Sequence, residues 1–175
     1  LLASNALVAT YYSSEGRAAY MKKTKPMYAL FPLFVKLVFN VLFSIPSVLV
    51  TVIIFGSLTK IGALSIIIFF FAVLFLHVGH MIQSAMFDIM NPQNEQYATT
   101  GQVVDNPNES KSTILAFIFS VVYAVISYQL LYEATLTGNL ALGFLKLMLI
   151  SLVYLASTIY MFTRRIKAYY YEIQG

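Results

Sequence analysis

His77, His80, Ser84 and Asp88 follow one another at steps of three, four and four, which lays two imidazoles, a hydroxyl and a carboxylate along one face of a helix. Imidazole and carboxylate groups so placed are the raw material of a metal site or a proton relay. Neither a third nearby His nor a Glu-bearing metal motif accompanies them, so no metal site is expected, and histidines hydrogen-bonded between helices are the simpler reading. Asn40, Ser44, Ser47 and Thr51 form a second stripe at steps of four, three and four. Ser120, Tyr123 and Ser127 make a third, and Ser151, Tyr154 and Thr158 a fourth. In apolar surroundings such groups either hydrogen-bond between packed helices, at about 0.6 kcal/mol each, or line a polar path. Packing is the plainer account of Asn40, Ser44, Ser47, Thr51, His77, His80 and Ser84, and a pathway stays open beside it.

Covalent chemistry has little to stand on. The chain has no Cys, hence no disulfide framework, thiolate metal site or cysteine nucleophile. It carries no Gly-x-Ser-x-Gly elbow, no Gly-rich phosphate loop followed by Lys and Ser or Thr, and no paired aspartates within an apolar run. No catalytic residue and no cofactor of the chain's own are therefore expected. Asn108-Glu109-Ser110 matches a glycosylation acceptor, but it falls in a connection expected to face the cytoplasm.

The elements that position these groups follow from the solvent the composition demands. The 175 residues are 59% apolar and only 10% charged, with a mean hydropathy of +0.77, whereas ordinary soluble domains carry about 25% charge. Residues 37–59 make an uncharged run of 23 between Lys36 and Lys60; at about 1.5 Å per residue it reaches roughly 35 Å and crosses a hydrocarbon layer of about 30 Å. Uncharged runs at 61–87 and 112–132, and a last run over 139–163, do the same. Helix is the state that satisfies their backbone in lipid. The expected fold is therefore an all-α polytopic transmembrane helix bundle of about four spans, near 28–59, 61–88, 112–133 and 139–163. A polar loop joins the middle pair over 89–111, and a tail follows at 164–175. Pro46 removes a backbone donor inside the first span and predicts a bend there.

Orientation follows from the basic residues. Arg17, Lys22, Lys23 and Lys25 precede the first span, Lys111 lies between the second and third, and Arg164, Arg165 and Lys167 follow the fourth, against essentially Lys60 on the other side. Both ends and the central loop should then be cytoplasmic. Lys36 and Lys146, each near the end of a span, can extend to the nearer interface. The net charge of +4 shows no basic stripe of the kind a nucleic-acid surface needs, so the bilayer is the expected partner.

Two segments carry a family resemblance. Residues 11–40 contain Ser13 or Ser14, Glu15, Gly16 and Arg17, then Lys23, Thr24 and Pro26, then Lys36 leading into a long apolar run. This order resembles the cytoplasmic approach to a membrane helix in permeases of type-2 ATP-binding-cassette (ABC) exporters. Residues 87–113 close one span with Asp88, continue through Asn91-Pro92, and open the next with Asn108, Glu109 and Lys111, similar to a cytoplasmic loop of the same family. Together the two segments cover about a third of the chain.

The resemblance implies a permease in a bacterial plasma membrane, without an ATPase site of its own, whose partner is an ABC ATPase subunit that binds ATP and Mg. It implies that residues 1–27 hold the end of a preceding span and a cytoplasmic coupling helix. There Glu15, Gly16 and Arg17 would dock the ATPase, and Tyr20 to Pro26 would form the exit toward the first span. It also implies a second permease half or further N-terminal spans as partners. The alternatives are a non-transporting membrane anchor or assembly protein and, more remotely, a membrane enzyme using His77, His80 and Asp88. The substrate is not legible.

Overall fold

The computed structural model describes residues 1–18, 31–100 and 106–172. Two 3-10 segments, Leu2–Thr10 and Ser13–Glu15, come first. They are followed by α1 (Phe31–Thr59), α2 (Ala63–Met90), the short α3 (Asn94–Thr100), α4 (Pro107–Leu136) and α5 (Leu140–Glu172). Among the described residues α1, α2, α4 and α5 as far as Ile166 are each long and apolar enough to cross a membrane. The chain is an all-α bundle and reads as a multi-pass membrane protein.

The outward faces decide that reading. Phe43, Leu58, Phe117, Leu136 and Val153 are each at least 66% exposed, the reverse of a water-soluble bundle, whose surface would be charged. Lipid tails satisfy such a surface as well as protein does, so helix association here rests on close packing and buried hydrogen bonds rather than on expulsion of water.

The central helix is α2. Its most extensive contact is with α5, and it also meets α1, α4 and the Leu2–Thr10 segment. Gly79 lets α2 and α5 approach: a Cβ there would stand 2.8 Å from the Tyr154 ring and 3.4 Å from the Leu155 Cα. Leu2–Thr10 lies against α2 and α4. It runs in the same direction as α2, because Asn5 is level with His77 and His80 while Tyr12 and Ser13 are level with Asp88. Apolar clusters occupy both ends of the bundle. Val8, Tyr12, Leu33, Leu37, Met81, Ala85, Ile89 and Ile166 pack at one end, and Ala72, Phe144 and Leu147 pack at the other. Beside the first of these clusters, on another face of α2, sits a layer of buried polar side chains, His77, His80 and Ser84 among them.

Several boundaries shift from those expected. Pro46 is accommodated inside a single helix, α1. The 89–111 connection is not loop throughout: it contains α3, and α4 starts at Pro107, five residues before the uncharged run. The reason is local. Asn106 caps the helix by accepting from the Asn108 amide at 2.9 Å, Pro107 takes the first turn, and Glu109 lies in that same turn, an arrangement that starts a helix regardless of hydropathy.

The two tight connections, residues 60–62 and 137–139, solve the same problem with different residues. Each closes its helix with a residue at positive φ, Lys60 at 55° and Gly138 at 70°. Each follows it with an amide that reaches back five residues, Ile61 to the Gly56 carbonyl and Asn139 to the Ala134 carbonyl. This is the usual left-handed helix stop, and only the lysine incurs the steric cost of a Cβ there. Lys60→Gly should therefore raise resistance to chemical unfolding in detergent by about 1 kcal/mol. Unchanged or lowered stability would count against this account of the turn.

Candidate functional site

Two polar clusters stand out, one inside the bundle and one at its end. In the interior, Asn5, His77, His80, Ser84 and Ser112 are all essentially inaccessible. The Asn5 amide donates to the His80 Nδ1 at 3.2 Å and to the His77 carbonyl at 3.2 Å, and its nitrogen stands 3.4 Å from the His77 Nδ1. The remaining partners fix the tautomers. His80 Nε2 faces the Ser112 carbonyl at 3.2 Å, which only accepts, so Nε2 carries the proton. His77 Nε2 is 2.9 Å from the Ser44 hydroxyl. That hydroxyl spends its own proton on the Asn40 carbonyl at 2.7 Å, so His77 donates as well. Both rings are then neutral Nε2–H imidazoles with Nδ1 turned to Asn5. Ser84 donates to the His80 carbonyl at 2.9 Å and is met by Ser112 at 2.7 Å.

The network joins the N-terminal segment, α1, α2 and α4, and every imidazole nitrogen in it is engaged. Among the described residues no group of three His, Cys, Asp or Glu side chains converges. Chemically the layer is a lock: an unmet polar group in hydrocarbon costs several kcal/mol, so the helices hold the register that satisfies all of them.

The stripe expected on α1 divides. Asn40 and Ser44 are half-buried, whereas Ser47 and Thr51 are exposed. Thr51 keeps its hydroxyl proton on the Ser47 carbonyl at 2.8 Å. The buried face of α1 runs instead through Leu33, Leu37, Val48 and Val52. On the far side of α2, the Tyr123 hydroxyl meets Ser151 at 3.0 Å, and Tyr154 donates to Gln83 at 2.6 Å.

The second cluster surrounds Asp88, which is 1% exposed near the end of α2. Its Oδ2 accepts the backbone amides of Tyr12 at 2.6 Å and Ser13 at 3.0 Å. Its Oδ1 accepts the Ser13 hydroxyl and, at 3.5 Å, the Asn108 amide. The carboxylate thus caps the Ser13–Glu15 turn from outside, taking amides that a helix start leaves unmet. Ser13 passes the connection on by accepting the Gln93 amide at 2.8 Å. Asn94 closes the other side, donating to the Tyr12 and Gly16 carbonyls at 3.0 and 3.3 Å. Asn108 donates to the Asn91 carbonyl at 2.8 Å, so the asparagine of the glycosylation triplet is wholly buried.

Glu15, Gly16 and Arg17 are carried by this turn. Glu15 pairs with Lys36 of α1 at 2.9 Å, and Lys36 also donates to the Tyr11 carbonyl at 2.8 Å, so the lysine expected to extend along its span meets a structured partner. Gly16 adopts φ 52° and ψ −132°, a conformation essentially reserved to glycine. Arg17 is exposed and, with Asn94, Glu95, Ala98 and Thr99 of α3, lines a polar cavity of about 380 Å³. Tyr20 and Pro26 lie outside the described residues.

Sequence reasoning passed over Asn5, Asn94 and the capping role of Asp88. The one available signal for Asn5 was an amide standing alone in the apolar run LLASNALVAT. No family model, curated protein or solved structure matches the chain.

Proposed function

We propose that the chain is the membrane-spanning permease part of an ATP-driven exporter of the type-2 ABC class, passing the work of a separate ATPase subunit to helices in a bacterial plasma membrane. One observation carries the reading. The Glu15-Gly16-Arg17 turn is fastened to α1 through Lys36, to α2 through Asp88 and to α3 through Asn94. A force applied at Arg17 and α3 would therefore reach two spans as a rigid-body displacement. Arg17, Lys111 near the start of α4, and Arg164 and Arg165 of α5 belong to that same end of the bundle. This end is the cytoplasmic one in our reading, by the excess of positive charge.

A second reading, a non-transporting anchor or assembly protein, draws on the interior layer. There both imidazoles have each ring nitrogen engaged by Asn5, Ser44 or the Ser112 carbonyl, which suits a packed layer better than an open path.

The test is to express the full chain with each ABC ATPase subunit of its source cell and measure co-purification and ATPase stimulation in liposomes. Arg17→Ala, at an exposed position, should weaken subunit association by about tenfold, the equivalent of roughly 1.4 kcal/mol, or uncouple ATP hydrolysis to a similar degree. Assembly and coupling that match the parent in Arg17→Ala and in Glu15→Gln would refute the permease reading and leave the anchor.

A further inference from the structure

A groove of about 410 Å³ runs along α2 between α1 and α5, within the range of about 300 to 1,000 Å³ typical of small-molecule sites. Its floor is Val78, Met81 and Ile82; Leu37, Val41 and Leu42 form one wall, and Ile159 and Phe162 the other. It exists because α1 and α5 both pack on α2 yet make at most marginal contact with each other. All three walls belong to membrane-crossing helices, so the groove opens onto lipid, and its lining is compatible with hydrocarbon alone.

What lies at its end sets it apart from an ordinary lipid-facing seam. Phe34 of α1 and Phe162 and Thr163 of α5 mark the mouth at the Asp88 end of the bundle. Arg164 and Arg165 follow directly and are both exposed. Arg165 lies three residues beyond Phe162, about one helical turn on, and its Nη1 reaches to 4.0 Å from the Met90 sulfur. The Arg164 guanidinium stands 5.4 Å from the centre of the Tyr160 ring. No carboxylate among the described residues pairs with either arginine. Two exposed guanidiniums without a carboxylate partner among the described residues, set at the end of an apolar slot, complement a phosphate joined to acyl chains.

We infer that this groove is a binding site for one anionic glycerophospholipid of the surrounding bilayer, its acyl chain seated along α2 between α1 and α5 and its phosphate at Arg164 and Arg165. The lipid fills the space between two helices that do not pack on each other, and the inference is independent of any transport role. Selectivity comes from the headgroup, because the apolar walls take any acyl chain.

The chain contains no Trp, so a single introduced Trp reports alone. Leu42→Trp places it on a groove wall at a position already 57% exposed, and Phe117→Trp places the control on the outward face of α4, 71% exposed and at a similar distance from the same end of the bundle. Each variant is reconstituted in phosphatidylcholine vesicles containing phosphatidylglycerol, with brominated chains on one lipid or the other. Brominated phosphatidylglycerol should quench Leu42→Trp as though enriched about fivefold over brominated phosphatidylcholine, the effect of one basic residue beside an anionic headgroup. Phe117→Trp should show no preference, and Arg164→Gln with Arg165→Gln should abolish the preference at Leu42→Trp. Equal quenching by the two lipids at Leu42→Trp overturns the site. So does an equal preference at Phe117→Trp, a preference that survives loss of both arginines, or quenching by neither lipid, which would mean that a second copy or another protein covers the groove. Phe34→Trp, at the mouth of the same groove, repeats the measurement should Leu42→Trp fail to insert.

Discussion

Asp88→Ala is expected to lower the stability of the folded chain by about 4 kcal/mol, since it removes the carboxylate that accepts the Tyr12 and Ser13 amides, each a charge-assisted bond worth about 1.5 to 3 kcal/mol. The Ser13 hydroxyl and the Asn108 amide lose their acceptor in the same stroke. Asp88→Asn should cost about half as much: its oxygen can serve the two amides, while its NH₂ faces the Asn108 amide donor. Unfolding in detergent gives the ranking. Hydrogen exchange gives the location, because protection of the Tyr12 and Ser13 amides should fall most, and trypsin should cut after Arg17 faster in both variants. An Asp88→Ala protein with parental stability and an unchanged exchange pattern at residues 11–17 would mean that the carboxylate does not hold the turn.

Gly16→Ala should destabilise by about 2 kcal/mol through backbone strain alone. At φ 52° and ψ −132° an L-residue is outside its allowed regions, and the added Cβ would stand 3.4 Å from the Ala98 amide nitrogen and 3.5 Å from its Cα. Those are ordinary contact distances, so the cost lies in the backbone conformation, and the β-branched Gly16→Val should be worse. Gly62→Ala provides the contrast. Gly62 has φ −65° and nothing within 4 Å of the Cβ position, so its replacement should be neutral or slightly stabilising. Equal effects at Gly16 and Gly62, measured by unfolding and by exchange in α3, would remove the special role of the turn. The two experiments probe one object from opposite sides, the carboxylate that holds the turn and the glycine that lets it form.

The four spans were legible in the sequence because lipid imposes a rule on each stretch of chain separately. A run such as 37–59 must satisfy its own backbone and cover its own length of hydrocarbon, whatever the rest of the protein does. The start of α4 was legible too, in Asn106, Pro107 and Glu109, but its signal is capping chemistry rather than hydropathy, and a reading led by hydropathy stops at Ser112. The face shared by His77, His80, Ser84 and Asp88 came directly from helical periodicity.

Periodicity does not say what faces them. His77 and His80 meet an amide more than seventy positions earlier in the chain, and Asp88 meets the turn at Tyr12 and Ser13 across a similar interval. Nothing local distinguishes Ser44, which joins the network, from Ser47, one helical turn on and exposed to lipid; the direction in which α1 leans on α2 separates them. The sequence by itself determined the solvent, the number of crossings and the helical state, all properties of one stretch at a time. Only the tertiary structure decided which polar groups satisfy one another and which end of the bundle holds the Glu15-Gly16-Arg17 turn. Hydrogen bonds in hydrocarbon are matched between helices, and their partners exist only once the helices have packed.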